Sequence, residues 1–488
     1  MTRMYCWKTV GAILILCLGA APALPAQAFA TLFTFEQMSG SNPSGSSPGY
    51  GALVQGIDGN LYGTTAYGGT SIYCPSAPPP SSAGCGTVFK ITPGGVFQTV
   101  YNFCGEPNCT DGANPWAGLI VGTDGNFYGT TQYGGTGFEG SYLGNGTVFK
   151  ITPQGEVTTL YSFSIAGYLG ANPTSGLVQA SNGNFYGTTS AGGTLQPGGH
   201  FSDGTVFELT EGGELSTVYN FCDTCGSNVV PYDPVNGLVQ AGNGNFYGTA
   251  TLVFEVTPGT LSTFYLPYYT DAVGALILAT NGDLYGTNAG DAGTIFKFTP
   301  SGTPTTLYTF CSLTNCADGS QPYGSLLQAT DGNFYGTTYT SGTGTGCNPL
   351  SYNHGCGTVF RITPAGELTT LHNFSSPVGN YQIAGLVQAT NGKFYGTTNL
   401  TIFGLDTGLG PFVRTIPTAD ETGAKVIILG TDLTEATVVT FSGTAATFTV
   451  VSASEITATV PTGATTGVVE VTTPSGTLKS NVPFRVAP

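Results

Sequence analysis

The stretch DGNFYGTT at residues 124–131 decides the fold, because close copies of it recur along the whole first part of the 488-residue chain. Its tyrosine appears seven times, 38 to 66 residues apart, at Tyr62, Tyr128, Tyr186, Tyr247, Tyr285, Tyr335 and Tyr395. Repeats in this range are the signature of propellers, solenoids and arrays, in which each unit buries its faces against its neighbours. The variable spacing indicates insertions within a fixed unit.

Each full unit is predicted to contain four short strands. In the second unit these are residues 118–121, 126–131, 146–152 and 157–163. An Asp-Gly or Asn-Gly pair separates the first two strands in every unit, which predicts a two-residue type I′ hairpin. Sequences of the form T-P-x-G predict a second tight turn between the third and fourth strands.

The two ends of the repeat region indicate how it closes. The seventh unit has its first two strands within 384–398 and a third at 401–405, but no fourth strand before the chain changes character at Gly408. Residues 31–35 (TLFTF) match the fourth strand of other units, such as TLYSF at 159–163. We therefore predict an all-β fold: a seven-bladed β-propeller closed by the N-terminal strand, which leaves no open sheet edge.

This arrangement places the tight turns on one face of the disc and the long connections on the other. A glutamine recurs on the innermost strand, and we expect it to join neighbouring blades by hydrogen bonds rather than to line the channel. These residues are Gln55, Gln179, Gln240, Gln328 and Gln388, with Val121 and Leu278 at the same position in the second and fifth units.

The first 28 residues have the features of a signal peptide: Arg3 and Lys8, a short apolar run, and a small-x-small site at 26–28. Of the 11 lysines and arginines, nine remain beyond this leader against 27 acidic residues, a net charge of −18. Such a chain is a poor nucleic-acid binder, because phosphate contacts require clustered basic residues. We predict a secreted, extracellular or cell-surface protein with no membrane span in the mature chain.

Cysteine spacing supports export. Beyond the leader, ten cysteines form five near-neighbour couples, predicted as local disulfides. The couples are Cys74 with Cys85, Cys104 with Cys109, Cys222 with Cys225, Cys311 with Cys316, and Cys347 with Cys356. The scattered histidines match no zinc-ligand spacing, so we predict neither a metal site nor a cofactor.

Two families resemble this chain. The D/N-G-N-F-Y-G-T-T core, followed by G-T-V-F-K-I-T-P-x-G and T-T-L-Y-x-F, resembles the GloVer repeat of bacterial choice-of-anchor tandem repeat proteins across residues 31–407. That resemblance implies a surface or secreted location and brings no established catalytic residues. Residues 410–488, with KVIILGTDL followed by VTFSGTAATFTV, ITATVP and TGVVEVTTPSG, are similar to an IPT/TIG domain, which implies a C-terminal Ig-like β-sandwich used as a spacer or interaction module.

Candidate ligand-binding residues are the aromatic side chains predicted on the long-loop face, because such rings present apolar area to sugars or protein loops. They are Trp116, Tyr133, Phe138, Tyr142, Tyr339, Tyr352 and His354. Packing of the loops is the competing explanation for each one. Glycoside hydrolases use a pair of carboxyl groups, so the carboxylates on the same loops leave this activity as an alternative function. These are Glu106, Asp111, Glu139, Asp203, Asp223, Asp233 and Asp318.

The leading prediction is a non-enzymatic secreted or cell-surface binding protein whose ligand is an extracellular glycan or protein. A carbohydrate-active propeller enzyme, a glycoside hydrolase or lyase, and a purely structural surface protein are the alternatives. No catalytic residue is predicted, because fold alone does not decide among these functions.

Overall fold

The computed structural model describes most of the chain, including all of the C-terminal region except its last residue. The described residues are 27–36, 42, 44–71, 74, 84–136, 144–164, 169–194, 203–221, 234, 236–250, 252–257, 259–264, 274–299, 302, 304–346, 355–376 and 384–487.

Residues 28–406 form seven four-stranded antiparallel sheets, each in the order expected for one repeat unit. The first strands are β2 (Val54–Gln55), β6 (Ile120–Val121), β10 (Val178–Gln179), β14 (Val239–Gln240), β18 (Ile277–Leu278), β22 (Leu327–Gln328) and β26 (Val387–Gln388). The second strands are β3 (Leu61–Thr65), β7 (Phe127–Thr131), β11 (Phe185–Thr189), β15 (Phe246–Thr249), β19 (Leu284–Asn288), β23 (Phe334–Thr337) and β27 (Phe394–Thr397).

The two outer positions of each sheet complete the unit. The third strands are β4 (Thr87–Ile91), β8 (Thr147–Ile151), β12 (Thr205–Leu209), β16 (Val253–Thr257), β20 (Thr294–Phe298), β24 (Thr358–Ile362) and β28 (Thr401–Asp406). The fourth strands are β5 (Phe97–Asn102), β9 (Val157–Ser162), β13 (Leu215–Asn220), β17 (Thr260–Phe264), β21 (Thr305–Thr309), β25 (Leu368–Asn373) and, for the seventh sheet, β1 (Ala28–Thr34). The predicted strands of the second unit agree with the observed ones to within two residues.

The first hairpin turn differs from the prediction. In the first unit Gly59 has a positive φ of 78°, whereas Asp58 is absent from the positive-φ residues. The amide of Gly59 donates to Gly56 O at 3.0 Å and that of Gly56 to Asn60 O at 2.8 Å, so this is a three-residue loop ending in a bulged glycine. The Asp58 carboxylate accepts from the Asn60 amide at 3.1 Å and from the Tyr62 hydroxyl at 2.8 Å. These bonds explain why the type I′ prediction was wrong.

The N-terminal strand completes the seventh sheet, as predicted. β1 pairs antiparallel with β28, from Ala28 opposite Asp406 to Thr34 opposite Thr401. Its register shifts between Thr31 and Phe33, which leaves Leu32 as the extra residue of a β-bulge. The fourth strands of the first, second, third, fifth and sixth sheets carry the same shift against their third strands. β1 is therefore a fourth strand in its detailed geometry as well as in its sequence.

The repeated glutamines join neighbouring sheets, which confirms their expected role. Each glutamine Oε1 accepts a hydrogen bond of 2.8–3.0 Å from a backbone amide of the preceding sheet. The donors to Gln179, Gln240, Gln328, Gln388 and Gln55 are Thr123, Ser181, Thr280, Thr330 and Thr390, respectively. The Gln55–Thr390 contact spans 335 residues and links the first sheet to the seventh.

The C-terminal region is a β-sandwich of two four-stranded sheets, β29-β31-β35-β34 and β33-β32-β36-β37, with β30 and β38 paired beside them. Its strands are β29 (Arg414–Ile416), β30 (Ala419–Asp420), β31 (Lys425–Leu429), β32 (Val438–Phe441), β33 (Thr444–Ala445), β34 (Phe448–Val450), β35 (Glu455–Thr459), β36 (Val469–Thr473), β37 (Gly476–Lys479) and β38 (Arg485–Val486). Its core includes Val426, Ile428, Phe441, Ile456 and Val471. Residues 451–454 separate β34 from β35.

This sandwich packs against the tight-turn face of the ring. The hydroxyl of Ser454 donates to Ile57 O at 2.7 Å, and that of Thr390 donates to Gly430 O at 2.9 Å. The amide of Phe412 donates to Thr390 O at 2.9 Å. Thr390 therefore contacts both the first sheet and the sandwich, so the two domains meet where the ring closes.

The described helices are four single 3₁₀ turns: Pro48–Tyr50, Pro107–Cys109, Thr314–Cys316 and Leu433–Glu435. Over the part of the chain that is described, no helix has the length and apolar character needed to cross a bilayer.

Candidate functional site

Residues on or just before the first strands of all seven sheets surround a central cavity of about 860 Å³. Its wall is formed largely by residues in and beside the recurring Leu-Val-Gln segment, such as Leu53 and Val54 in the first sheet and Leu177 and Val178 in the third. Tyr50 and Tyr323 line the end nearest the long loops. At the opposite end the wall includes residues 414–419, Pro483 and Arg485 of the sandwich. The sandwich thus contributes the floor of the cavity.

A group of aromatic side chains adjoins Tyr50, which lines the long-loop end of this cavity. The rings of Tyr50 and Trp116 have centroids 4.1 Å apart, and the ring of Tyr67 lies 6.0 Å from Trp116 in an edge-on arrangement. Burial, followed by the neighbouring hydroxyls of Tyr50 and Tyr133, raises the pKa of Tyr67. The structure therefore brings the predicted residues Trp116 and Tyr133 together with two tyrosines that were not predicted. We call Tyr50, Tyr67, Trp116 and Tyr133 the aromatic rim.

Two features of the aromatic rim suit a ligand. Tyr50 is 38% exposed although its ring packs on Trp116. The indole Nε1 of Trp116 is buried and has no hydrogen-bond partner in the described part of the structure. A buried Trp N–H normally has an acceptor, because leaving such a donor without one costs about 1–3 kcal/mol. A bound acceptor would remove that cost.

Tyr50 could have been found by aligning the repeats. It stands three residues before the leucine of the first strand, as does Trp116 in the second unit and Tyr323 in the sixth. Tyr323 packs edge-on against the predicted residue Tyr339, with ring centroids 5.2 Å apart. Two of these side chains, Tyr50 and Tyr323, line the long-loop end of the cavity. The predicted residues Phe138, Tyr142, Tyr352 and His354 lie outside the described residues.

Two of the candidate carboxylates hold loops in place. Asp111 is buried and accepts from the Tyr101 hydroxyl at 2.8 Å and the Gly105 amide at 3.0 Å. Asp318 accepts in the same way from the Tyr308 hydroxyl at 2.9 Å and the Ser312 amide at 3.0 Å. Burial raises the pKa of Asp111, although these hydrogen bonds oppose the shift. The same contacts at both positions follow from the shared F-C-x4-C-x-D-G sequence, which indicates a structural role.

Glu106 donates its backbone amide to Asp111 at 3.4 Å, and Asp203 pairs with Gly192 in an isolated β-bridge. The remaining candidate carboxylates, Glu139, Asp223 and Asp233, lie outside the described residues.

Disulfides join Cys104 to Cys109 and Cys311 to Cys316, each within a loop on the long-loop face. Cys356 is also disulfide-bonded, whereas its predicted partner Cys347 lies outside the described residues, as do Cys222 and Cys225. Cys74 and Cys85 are buried side by side as thiols and share a hydrogen bond rather than a disulfide in this structure. That hydrogen bond and burial raise the pKa of Cys85.

Among the residues that the structure describes, one group brings three potential metal ligands together: Cys85, Cys104 and Cys109. Two of these sulfur atoms are joined to each other in a disulfide, which removes them as thiolate ligands. The third histidine of the chain, His372, is stacked on Phe29 with ring centroids 3.6 Å apart. These groups therefore do not form a metal-binding arrangement.

Several solved structures are similar to this chain in fold. A streptogramin B lyase matches with a TM-score of 0.51 at 13% identity, covering 79% of this chain and 99% of its own. A fungal alcohol oxidase of the AA5 family, in complex with copper, matches with a TM-score of 0.51 at 12% identity, covering 94% and 100%. The WD40 β-propeller domain of Doa1 matches with a TM-score of 0.46 at 11% identity, covering 78% and 97%. At these identities the first two matches support the fold alone.

A search of curated proteins found no match. The IPT/TIG domain model matches residues 411–486, in agreement with the resemblance seen in the sequence. The Gloeobacter/Verrucomicrobia repeat model matches residues 26–261 and 251–410, which together span most of the chain. The chain therefore belongs to the Gloeobacter/Verrucomicrobia repeat family and carries a C-terminal IPT/TIG domain.

Proposed function

We propose that this chain is an exported, non-enzymatic binding protein that takes a glycan at the aromatic rim. Its repeat and its IPT/TIG domain are those of a surface or binding protein. The observation that carries the glycan proposal is the Tyr50–Trp116 pair, in which an exposed ring adjoins a buried indole N–H without an acceptor. A sugar offers what this pair needs: an apolar ring face for Tyr50 and hydroxyl oxygens for the indole N–H.

The described loop carboxylates support binding over hydrolysis. A glycosidase needs two carboxyl groups that flank the scissile bond and remain available for proton transfer or attack. Asp111 and Asp318 instead accept hydrogen bonds from their own loops. A carbohydrate-active enzyme and a purely structural protein remain the competing functions, and the experiment below separates them.

The test is a glycan array with the mature protein, followed by measurement of reducing ends released from every sugar that binds. We expect binding without release. Trp116→Ala should weaken binding at least tenfold, because it removes both a stacking surface and the indole donor. Trp116→Phe keeps an aromatic ring but loses the indole N–H. Its affinity for the glycan should therefore lie between those of the wild type and Trp116→Ala.

Val96→Ala is the matched control, since Val96 is 69% exposed at the turn after β4, on the opposite face of the ring. It should bind as the wild type does. Release of reducing ends would support the enzyme instead. An array without any bound sugar, for protein whose fold is verified by circular dichroism, would rule out the glycan proposal and favour a protein ligand or a structural role.

Export is part of this proposal, with cleavage after Ala28 and local disulfides in the cysteine couples other than Cys74 with Cys85. Mass spectrometry of the secreted protein should find Phe29 as the first residue. Peptide mapping without reduction should find Cys222 linked to Cys225 and Cys347 linked to Cys356. An intact leader in protein collected from the medium, or cross-links between different loops, would contradict it.

A further inference from the structure

The floor of the central cavity contains two arginines that the aromatic rim does not use. Arg414 is the first residue of β29 and Arg485 the first residue of β38, and both line the cavity. The three described ion pairs are Lys150–Asp124, Lys393–Asp406 and Lys479–Glu470, so neither arginine has a carboxylate partner in the described structure. Both guanidinium groups are therefore available to an anion.

Arg414 in particular is placed where a charge is costly. Its side chain is half-buried, and one terminal nitrogen donates to Gln55 O at 3.4 Å, its single hydrogen bond to the described residues. Burial lowers the pKa of Arg414. A guanidinium has five N–H donors in a planar fork that matches a carboxylate, and it stays charged in proteins. A half-buried guanidinium with one long hydrogen bond is better stabilised by an anion, which points to a missing partner.

The rarity of basic residues in the chain supports an anion site at the two arginines. The chain has 11 lysines and arginines against 27 acidic residues. Two of the 11 belong to the predicted leader, and two of the other nine line one cavity. The net charge of the protein repels anions at long range, but this repulsion is screened beyond about 10 Å at moderate ionic strength. Short-range pairing inside a cavity is therefore the way this protein could select an anion.

The rest of the cavity limits the kind of anion. Its wall is largely aliphatic, with the side chains of Gln179, Gln240 and Ser181 as polar groups near the floor. Tyr50 and Tyr323 stand at the other end. A volume of about 860 Å³ lies within the range of small-ligand sites. A ligand that fits has rings for the tyrosines at one end and a carboxylate for the arginines at the other.

We propose that the cavity binds the acidic end of a glycan, with the carboxylate of a uronic acid held between Arg414 and Arg485 of the sandwich. This inference rests on the proposed glycan function and names the class of sugar. It also gives the IPT/TIG domain a part in binding, because the repeat ring alone supplies neither arginine.

The test uses the full mature protein and isothermal titration with trigalacturonate, with fully methyl-esterified trigalacturonate as the neutral probe. The two sugars differ only at the carboxyl groups, which are charged in the acid and are neutral methyl esters in the probe. Wild-type protein should bind the acid form about tenfold to a hundredfold more tightly, as expected for charge-assisted hydrogen bonds. Arg485→Gln should remove most of this preference, and Arg414→Gln should remove it entirely. Trp116→Ala should weaken both sugars equally.

Arg485 is exposed, so Arg485→Gln keeps the test valid even if Arg414→Gln fails to fold. Lys425→Gln is the matched control, since Lys425 is an exposed base of the same domain outside the cavity lining. Equal affinity for the two sugars, or a preference that survives Arg485→Gln, would overturn the acidic site while leaving glycan binding intact.

If the protein does not bind glycans at all, the same experiment gives a different result. Neither trimer would then bind, and Trp116→Ala would change nothing. Monomeric galacturonate distinguishes glycan binding at the aromatic rim from carboxylate binding by the two arginines. If galacturonate raises the unfolding temperature of the wild type but not of Arg485→Gln, the arginine site is supported on its own. Absence of that rise, together with absence of trimer binding, would overturn it.

Discussion

Two junctions between neighbouring sheets differ in the contacts that hold them together. The junction of the seventh and first sheets joins the ends of the ring, yet it keeps the glutamine bond and the outer aromatic contacts found at other junctions. Gln55 bonds Thr390 across it, and Phe35 packs edge-on against Phe89 at 5.7 Å. Phe33 adds a parallel stack on Phe97 at 3.9 Å. The N-terminal strand thus supplies the seventh sheet with the aromatic contacts of an ordinary fourth strand.

The junction of the fourth and fifth sheets, in the middle of the repeat region, has lost several of these contacts. Leu278 replaces the bonding glutamine that the closing junction keeps. Leu284 replaces the phenylalanine that stacks on the preceding tyrosine at about 4.1 Å in five junctions, as Leu61 also does at the closing junction. The hydroxyl of Thr249 still donates to Gly274 O at 3.4 Å, and Phe264 lies 5.4 Å from Phe298. Closure of this ring is therefore not its weakest point.

Removing the closing strand should have the largest effect on stability. A chain that begins at residue 36 loses the β1–β28 ladder and the burial of Phe33 and Phe35. Burial of these two side chains contributes about 3–6 kcal/mol together, and the exposed edge of β28 favours aggregation. Urea unfolding should show a correspondingly lower midpoint. A synthetic peptide of residues 27–36 should restore stability and a scrambled one should not; unchanged stability without the strand would mean that it does not close the ring.

Exchanging the residues at the glutamine position should have a smaller effect, with opposite signs at the two junctions. Gln55→Leu leaves the buried Thr390 amide without its acceptor, which should cost about 1–3 kcal/mol of unfolding free energy. Leu278→Gln gives the Gly242 amide of the fourth sheet an acceptor and should stabilise by about 0.5–1 kcal/mol. Chemical unfolding of both variants measures this. If Leu278→Gln destabilises as much as Gln55→Leu, the two junctions do not differ in the way described.

A pH effect of smaller size is expected near the closing strand. His372 occupies a position that is tyrosine in several fourth strands, and burial against Phe29 lowers its pKa. The unfolded chain therefore binds the proton more tightly, and stability should fall as the pH drops below the unfolded pKa of about 6.5. His372→Tyr should reduce the loss in unfolding temperature between pH 7.5 and pH 5. An identical loss in the variant would assign the effect to other groups.

The repeat made most of the fold predictable from sequence. Matching TLFTF at 31–35 to TLYSF at 159–163 was enough to predict strand β1 in the seventh sheet, because a repeated unit has a repeated set of neighbours. The spacing of Gln55 and its equivalents likewise predicted bonds between sheets. Turn geometry was harder, since Asp58 accepts hydrogen bonds from Asn60 and Tyr62 and thereby selects a three-residue loop over the two-residue turn.

The candidate site was only partly predictable. Trp116 and Tyr133 were found by their type and their predicted face, whereas Tyr50 needed the position it shares with Trp116 and Tyr323 in the repeat. Arg414 and Arg485 could not be found in this way. They belong to another domain, and sequence patterns within one domain do not show which end of a neighbouring channel it covers.

Closure of the ring by the N-terminal strand is tested most directly by amide hydrogen exchange of the mature protein, followed by mass spectrometry. The peptide covering residues 29–35 should be protected as strongly as the one covering β5, because both strands pair with a third strand through the same bulged ladder. Exchange of residues 29–35 at the rate of an unstructured peptide, with β5 still protected, would contradict closure by this strand.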